Sequence, residues 1–253
     1  MSLNILDKIV EIIRECVRMS HNVEDPSERS RLLRKLASYL DRIGLREEAR
    51  ELLLDAARVS LNIQDPHERV LELVYIANNL KRIGYIESAF EILDKGIESL
   101  EAEEDQEAVL AGLLHIIDEL INMKALDRAQ EVLSMILSTI DRLETKELSD
   151  AEMLLDTLEY VILLGDEKTK KDIFYRVLER VEEIEDEDIR RRIYEELLFI
   201  ALYQNWFDVA KRIITERVET LQDKVDLLEK LIEYYEERIS RIGVIYEETL
   251  EEE

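Results

Sequence analysis

The sequence has few of the residues that form tight turns and covalent cross-links. Its 253 residues include one cysteine, two prolines and six glycines. An intramolecular disulfide is therefore excluded, and a sheet-rich fold with many tight turns lacks its usual turn residues. Hydrophobic residues make up 46% of the chain, which is enough for a substantial core. With abundant Leu, Ile, Glu, Lys and Arg, this composition predicts an all-α protein.

Basic residues are also scarce relative to acidic ones. The chain carries 60 acidic and 34 basic residues, for a formal net charge of −26. Residues 1–50 hold ten bases and nine acids, so the net charge of residues 51–253 is −27. Nucleic acids and anionic membranes attract clustered Lys and Arg, and neither is expected as a partner here. The acidic balance favours a protein or peptide partner of basic character.

Long apolar runs and a signal peptide are absent as well. The longest uncharged apolar run, Leu197–Tyr203, is much shorter than the roughly 20 residues that cross a bilayer. These absences predict a cytoplasmic protein, and the richness in Glu, Lys and Arg is typical of thermophilic proteins. The single Cys16 follows Ile9, Ile12 and Ile13 on an apolar helical stripe, so a buried thiol is expected.

A segment of eight residues recurs after forty residues. NVEDPSER occupies 22–29, and the similar NIQDPHER occupies 62–69. Large and small apolar residues recur at the same interval through five blocks. The first block has Leu33, Leu36, Ala37, Leu40, Gly44, Ala49, Leu53 and Ala56 at these positions. Self-similarity at a fixed period of this length indicates a solenoid of stacked repeats.

Each block contains two amphipathic helices, A and B, and the repeated segment marks the start of helix A. Asp25 and Asp65 are the predicted N-caps. Each is followed by proline and then by a glutamate, Glu28 or Glu68, at the capping-box position.

The ends of the A helices are predicted from residues that tolerate a left-handed backbone. Gly44, Gly84 and Gly165 suit this conformation, and Asn205 is the next most suitable residue. Lys124 occupies the same position in the third block and is not suited to it, so an irregular corner is expected there.

This spacing resembles the tetratricopeptide repeat (TPR). Leu33, Leu36, Ala37, Leu40, Ala49, Leu53 and Ala56 match its pattern, with leucines in place of the aromatic residues. The resemblance extends from Asp25 to about Gly243, with a unit of about 40 residues instead of about 34. The fourth repeat departs from it, with Leu158 and Lys170 replacing the small pair. The resemblance implies a right-handed α-solenoid of about twelve antiparallel helices.

The same register predicts a single solenoid over residues 1–253. An N-terminal capping helix occupies 1–24, and a C-terminal capping helix with an acidic tail occupies 223–253. The predicted repeats between them are 25–64, 65–104, 105–145, 146–185 and 186–222.

The sequence contains no recognisable catalytic or cofactor-binding motif. His115 is followed by Asp118 and Glu119 at helical spacing, which supplies part of a metal site. His21 and His67 lie in other blocks, without a second ligand in sequence reach, and solvated histidines are the expected interpretation. We therefore expect no catalytic residue, no cofactor and no metal. Trp206 and Phe207, at the start of a B helix, are expected in the core.

The candidate binding groove is the concave face, which A-helix residues line in TPR-like solenoids. Its predicted members are Val74, Asn78, Leu114, Asp118, Ile121, Leu155, Glu159, Ile162, Phe199 and Leu202, with Glu152 and Glu195 as further acidic rim residues. The apolar members either pack between adjacent A helices or stay exposed. If they are exposed, an amphipathic helix or peptide with basic flanks is the matching ligand. Arg34 and Asn78 alone resemble the family's clamp for a peptide carboxylate, and because the later rows are apolar or acidic, no such clamp is expected.

These observations favour a non-catalytic protein-interaction scaffold. A structural protein that self-associates through the apolar strip as a homodimer is an alternative. An all-α enzyme subunit, as in protein prenyltransferases, is a third possibility, although the tryptophan-centred motifs of those subunits are absent.

Overall fold

The structure, a computed structural model, describes residues 5–101, 103–142, 148–218, 220–233 and 236, with the side chains of 148–152 excepted. Within these ranges the regular elements are helices and no strand occurs. The prediction of an all-α fold is confirmed.

The helices alternate in the A and B order that the forty-residue period predicts. The A helices are α2 (Pro26–Arg42), α4 (Pro66–Arg82), α6 (Gln106–Asn122), α8 (Leu148–Leu164) and α10 (Glu187–Tyr203), each 17 residues long. The B helices are α3 (Arg46–Ser60), α5 (Ile86–Glu98), α7 (Leu126–Ile140), α9 (Glu167–Val181) and α11 (Phe207–Arg212), the last continuing as a π-helical turn, Ile213–Arg217. Helix α1 (Ile5–Ser20) precedes the first pair, and α12 covers 221–233.

The predicted N-caps form as expected. An Asp25 carboxylate oxygen accepts a hydrogen bond from the Glu28 amide at 2.9 Å, and Asp65 accepts one from the Glu68 amide at 2.6 Å. The Glu68 side chain is not the reciprocal half of a capping box, since it pairs with Arg31 on α2. These caps satisfy backbone donors that the first helical turn leaves unpaired.

Left-handed residues end four of the A helices. Gly44, Gly84, Lys124 and Asn205 have φ values of 85°, 97°, 60° and 60°. The irregular corner predicted at Lys124 is wrong, because its amide donates to the Ile121 carbonyl at 2.8 Å as in a regular corner. Packing of the flanking helices outweighs the local conformational cost of a lysine in this region.

Gly165 follows α8 for a different reason from the one predicted. Its φ is not in the left-handed region, but a Cβ there would lie 2.6 Å from the Val161 carbonyl oxygen. Close backbone approach therefore requires glycine at this position.

The chain forms two compact units. The first comprises the described residues up to Arg142 together with Glu159–Asp166, and the second comprises Leu148–Leu158 and the described residues from Glu167 onward. In the first unit, α2 packs on α3 and α4, α4 on α5 and α6, and α6 on α7. In the second, α10 packs on α9 and α11. A single solenoid over 1–253 stays a prediction, and its C-terminal part beyond residue 236 lies outside the described residues.

Small residues are buried within the helix pairs of the first unit. Ala37 and Ala49, and their counterparts Ala77 and Ala89, are each at most 1% exposed. Alanine lets the paired A and B helices approach closely, which is the packing that the repeat pattern implies.

The stripe on α1 is not buried as predicted. Cys16 is exposed, and Ile12 is 63% exposed, whereas Ile13 is buried. The principal neighbour of α1 is α2, while an interior B helix such as α3 packs on both α2 and α4. Among the described helices, none therefore packs on the face of α1 that would meet a paired A helix.

Replacing Lys124 with glycine should stabilise the protein by about 0.5–1 kcal/mol, because glycine adopts a left-handed backbone without the Cβ penalty. The reciprocal change, Gly84→Lys, should destabilise by about 1–2 kcal/mol for the same reason. Nothing lies within 4 Å of a Cβ at Gly84, so steric overlap does not confound the comparison. Urea unfolding of both variants measures the difference, and a loss of stability in Lys124→Gly would contradict this interpretation.

Candidate functional site

The A-helix face of the first unit is formed by α2, α4 and α6, and buried carboxylates link neighbouring helices across it. Glu72 on α4 is only 5% exposed. It accepts hydrogen bonds from Arg34 Nε at 2.9 Å, Arg34 Nη2 at 3.2 Å and Ser30 Oγ at 3.1 Å, all from α2. The bidentate guanidinium and the hydroxyl offset the cost of burying this charge.

The same arrangement links α4 to α6. Glu119 is 5% exposed and accepts from Asn78 Nδ2 at 3.0 Å and Lys81 Nζ at 3.2 Å. In both cases a buried glutamate on one A helix binds polar side chains of the preceding A helix. We call Glu72 and Glu119 the inter-repeat carboxylates.

These contacts assign a structural role to Arg34 and Asn78, the two residues that resemble the family's clamp, and to the neighbouring Arg31. Arg34 and Asn78 are hydrogen-bonded to the inter-repeat carboxylates, and Arg31 pairs with Glu68 at 2.8 Å. Their charge and donors are directed at the neighbouring helix. This arrangement argues against a clamp for a peptide carboxylate on this face.

The predicted groove residues divide into buried and accessible sets. The buried set is Val74, Leu114, Leu155 and Leu202, and the half-buried set is Ile121 and Ile162. Phe199 is 44% exposed, and the acidic Asp118 and Glu159 are exposed. The Glu152 side chain lies outside the described residues. Only part of the apolar strip therefore reaches solvent.

The predicted groove residues are distributed over both units, with most of them in the first. Val74, Asn78, Leu114, Asp118, Ile121, Glu159 and Ile162 belong to the first unit, and Leu155, Phe199 and Leu202 belong to the second. In the second unit, Tyr203 lies one turn after Phe199 on α10 and is 72% exposed. The sequence reasoning missed Tyr203, although its spacing of four residues from Phe199 is a signal for a shared helix face.

A second feature of the first unit joins two histidines that are 48 residues apart. The Nε2 atoms of His67 on α4 and His115 on α6 are 3.0 Å apart, with ring centroids at 5.1 Å. Burial lowers the pKa of His115 below its ordinary value of 6.5, the charge of His67 lowers it further, and Asp118 acts in the opposite direction. The neutral form of the His115 ring is therefore favoured beside His67.

Helical spacing groups His115 with Asp118 and Glu119 in the sequence, but in the structure both carboxylates are hydrogen-bonded to other side chains. Glu119 binds Asn78 and Lys81, and Asp118 accepts from Asn122 at 3.2 Å. The partner of His115 is instead His67, predicted to be solvated alone. The two histidines are 48 residues apart in the sequence, which is one forty-residue period plus about two helical turns. This spacing does not establish how far α4 and α6 are shifted along their axes relative to each other, so it could not predict the contact.

The aromatic pair at the start of the last B helix is only partly in the core. Trp206 is half-buried and packs edge-on against Phe174, with ring centroids 5.5 Å apart. Phe207 is 57% exposed, so its predicted core position is wrong. It is the first residue of α11, and the equivalent first residues of α5 and α7, Ile86 and Leu126, are also exposed.

Two features are absent from the residue ranges given above. No group of three or more His, Cys, Asp and Glu side chains there is arranged to hold a metal ion. No helix there combines the length and apolar character needed to span a membrane.

Comparison with known protein families and with curated protein sequences gives no match. Among solved structures, a protein of Podosopora anserina described as a kinesin light chain with nearly identical TPR-like repeats is 17% identical, with a TM-score of 0.51. The alignment covers 83% of this chain and 99% of that one. A single-residue variant of the same protein gives 16% identity and a TM-score of 0.51 over 84% and 100% of the chains.

A protein of Thermococcus onnurineus is 18% identical over 91% of this chain and 72% of its own, with a TM-score of 0.48. The all-helical architecture and the likeness to the Podosopora repeats define the class as an all-α helical-repeat solenoid. More particularly, the fold is a TPR-like helical repeat.

Replacing Glu72 with glutamine should cost about 2–3 kcal/mol of unfolding free energy, because the neutral amide leaves the Arg34 guanidinium without its counter-charge. Arg34 keeps 26% of its side chain exposed, which places the cost below that of a fully buried pair. The matched control is Glu68→Gln on the same helix. Its partner Arg31 is 59% exposed, so we expect a loss of only about 0–1 kcal/mol. Chemical denaturation distinguishes them, and equal losses would contradict the special role of Glu72.

Proposed function

We propose that this protein is a non-catalytic protein-interaction scaffold that binds a helix or peptide of apolar and basic character on its A-helix face. TPR-like repeats are a fold of protein-interaction scaffolds, which supports the general role. The observation that carries the finer proposal is the state of the charged groups on this face. Arg31, Arg34 and Lys81 are paired with glutamates, while Asp118 and Glu159 are exposed.

The electrostatic balance of the face follows from this pairing. A base that is neutralised by a neighbouring carboxylate adds little attraction for an anionic ligand. The exposed acids and the net charge of −27 beyond residue 50 attract cationic partners instead. Ile121 and Ile162 provide half-buried apolar positions near this acidic surface in the first unit. A helix with one apolar face and Lys or Arg on its flanks meets both requirements.

The second unit offers an aromatic surface of its own. Phe199 and Tyr203 are 44% and 72% exposed on α10. Large aromatic side chains carry a disproportionate share of binding energy when a partner covers them. Phe199 is accordingly proposed as an anchor contact, whereas Leu202 is 1% exposed and is a core residue.

A pair of synthetic amphipathic peptides tests the proposal directly. Both carry the same leucines, one with Lys and Arg on the polar face and the other with Glu. Fluorescence anisotropy should show binding of the basic peptide that weakens with added salt, and no binding of the acidic peptide. Phe199→Ser should weaken binding by about tenfold, because it removes an aromatic contact.

The control for this variant is Phe207→Ser, which removes a similarly exposed phenylalanine from a B helix of the same unit. It should change the affinity by less than about twofold, within the effect of an ordinary surface substitution. Equal affinity for the two peptides, or equal effects of the two variants, would refute the proposed surface.

A second candidate function, self-association, is favoured by the exposed stripe of α1. Ile5, Ile9, Ile12 and Met19 are 76%, 38%, 63% and 61% exposed. In α3, forty residues later, the counterparts of Ile9 and Ile12 are buried, at 0% and 6% exposure. The stripe therefore has the character of a packing face, and a second copy could cover it.

The charges beside the stripe are compatible with antiparallel pairing of two α1 helices. Lys8 lies one turn before Ile12, and Glu15 lies one turn after it, on the same flank. A two-fold axis near Ile12 would bring Lys8 of one copy close to Glu15 of the other. Opposite charges on that flank would then support the apolar contact.

Light scattering coupled to size-exclusion chromatography tests self-association by measuring the molar mass in solution. The wild type should have about twice the monomer mass of 29.8 kDa, and Ile12→Lys should have the monomer mass, since a charge at the centre of the interface is desolvated. Leu126→Lys changes a residue that is 50% exposed on α7 and should leave the dimer intact. A wild-type monomer at high protein concentration would exclude this candidate and leave the scaffold proposal unaffected.

A further inference from the structure

We propose that His67 and His115 are the two protein ligands of a binding site for a divalent transition-metal ion of the Cu²⁺ or Ni²⁺ type. The observations that support this site do not rest on the proposed scaffold function. The two imidazoles come from successive A helices, α4 and α6, and meet through their Nε2 atoms at 3.0 Å.

The distance between the two nitrogens fits a shared ion. Metal–imidazole bonds are about 2.0–2.1 Å long, so two nitrogens 3.0 Å apart subtend about 94° at a common ion. An angle near 90° corresponds to adjacent positions of square-planar or octahedral coordination, which Cu²⁺ and Ni²⁺ prefer.

The contact between the two rings also suits metal binding. A ligating nitrogen must be unprotonated, and a hydrogen bond between the two Nε2 atoms requires that one of them carries no proton. In the absence of metal, one Nε2–H donates to the other Nε2, which requires different tautomers on the two rings. A metal ion between the rings takes the place of that shared proton.

Water can supply the remaining ligands of the ion. His67 is exposed, so water reaches the pair, and Asp118 contributes negative charge one turn after His115. Glu119 is engaged by Asn78 and Lys81 and is not a third ligand. Because the ion would join α4 to α6, its binding would stabilise the packing of two successive repeats.

Isothermal titration calorimetry of the full chain, first stripped with EDTA and then dialysed, tests the proposal with NiCl₂ and CuCl₂ as probes. We expect one high-affinity ion per chain, and at least tenfold weaker binding in His67→Gln and in His115→Gln. His21→Gln is the control, since His21 contacts Arg29 and not this pair, and it should bind as the wild type does. Metal at about 100 times its Kd should raise the melting temperature of the wild type by about 5–10 °C and leave that of the double variant unchanged.

The double variant His67→Gln/His115→Gln also distinguishes a metal site from a simple hydrogen bond. Circular dichroism establishes that it folds, and the Cu²⁺ electron paramagnetic resonance spectrum of the wild type should show coupling to two nitrogens. Equal metal affinity in the wild type and the folded double variant would overturn the proposal. So would a copper spectrum without nitrogen coupling in the wild type.

Discussion

The burial of one glutamate between each pair of successive A helices is the constraint on which the first unit depends. Glu72 and Glu119 are almost inaccessible to water and must find donors on the preceding helix. Arg34, Asn78 and Lys81 supply those donors, so these residues determine where α2, α4 and α6 lie relative to one another. A charge that must be paired restricts helix offset more than apolar contact does, since apolar packing tolerates small shifts. The meeting of His67 and His115 is a consequence of that offset.

Much of the fold could be predicted from the sequence because its signals are local. Asp25 and Asp65 cap their helices through amides only three residues away, and Gly44 and Gly84 adopt the left-handed backbone that the pattern requires. Local propensity failed at Lys124, where tertiary packing imposes the conformation. The predicted burial of Cys16 was also wrong. The apolar periodicity of α1 indicates which face of the helix could be buried, but it does not show whether a neighbouring helix covers that face.

The candidate site was less predictable because its decisive contacts are non-local. A 3.6-residue period places Arg34 and Asn78 on the A-helix face, yet it does not tell a ligand-binding donor from one that binds the next repeat. That distinction depends on a glutamate 38 or 41 residues away. The same limit applies to Val74 and Leu114, whose burial depends on how closely adjacent A helices pack. The degree to which Phe199 and Ile121 are exposed likewise depends on the positions of the neighbouring helices, which the sequence does not give.

The two surfaces of the first unit are coupled through charge. Asp118 is one of the exposed acids that would attract a basic peptide, and it also influences the titration of His115 one turn earlier. A divalent cation held by His67 and His115 would add positive charge beside Asp118 and reduce its attraction for Lys or Arg. Binding of the ion and binding of a basic helix are therefore expected to oppose each other by equal factors, because coupling free energies are reciprocal. A partner that supplied its own ligand to the open coordination positions would reverse the sign of that coupling.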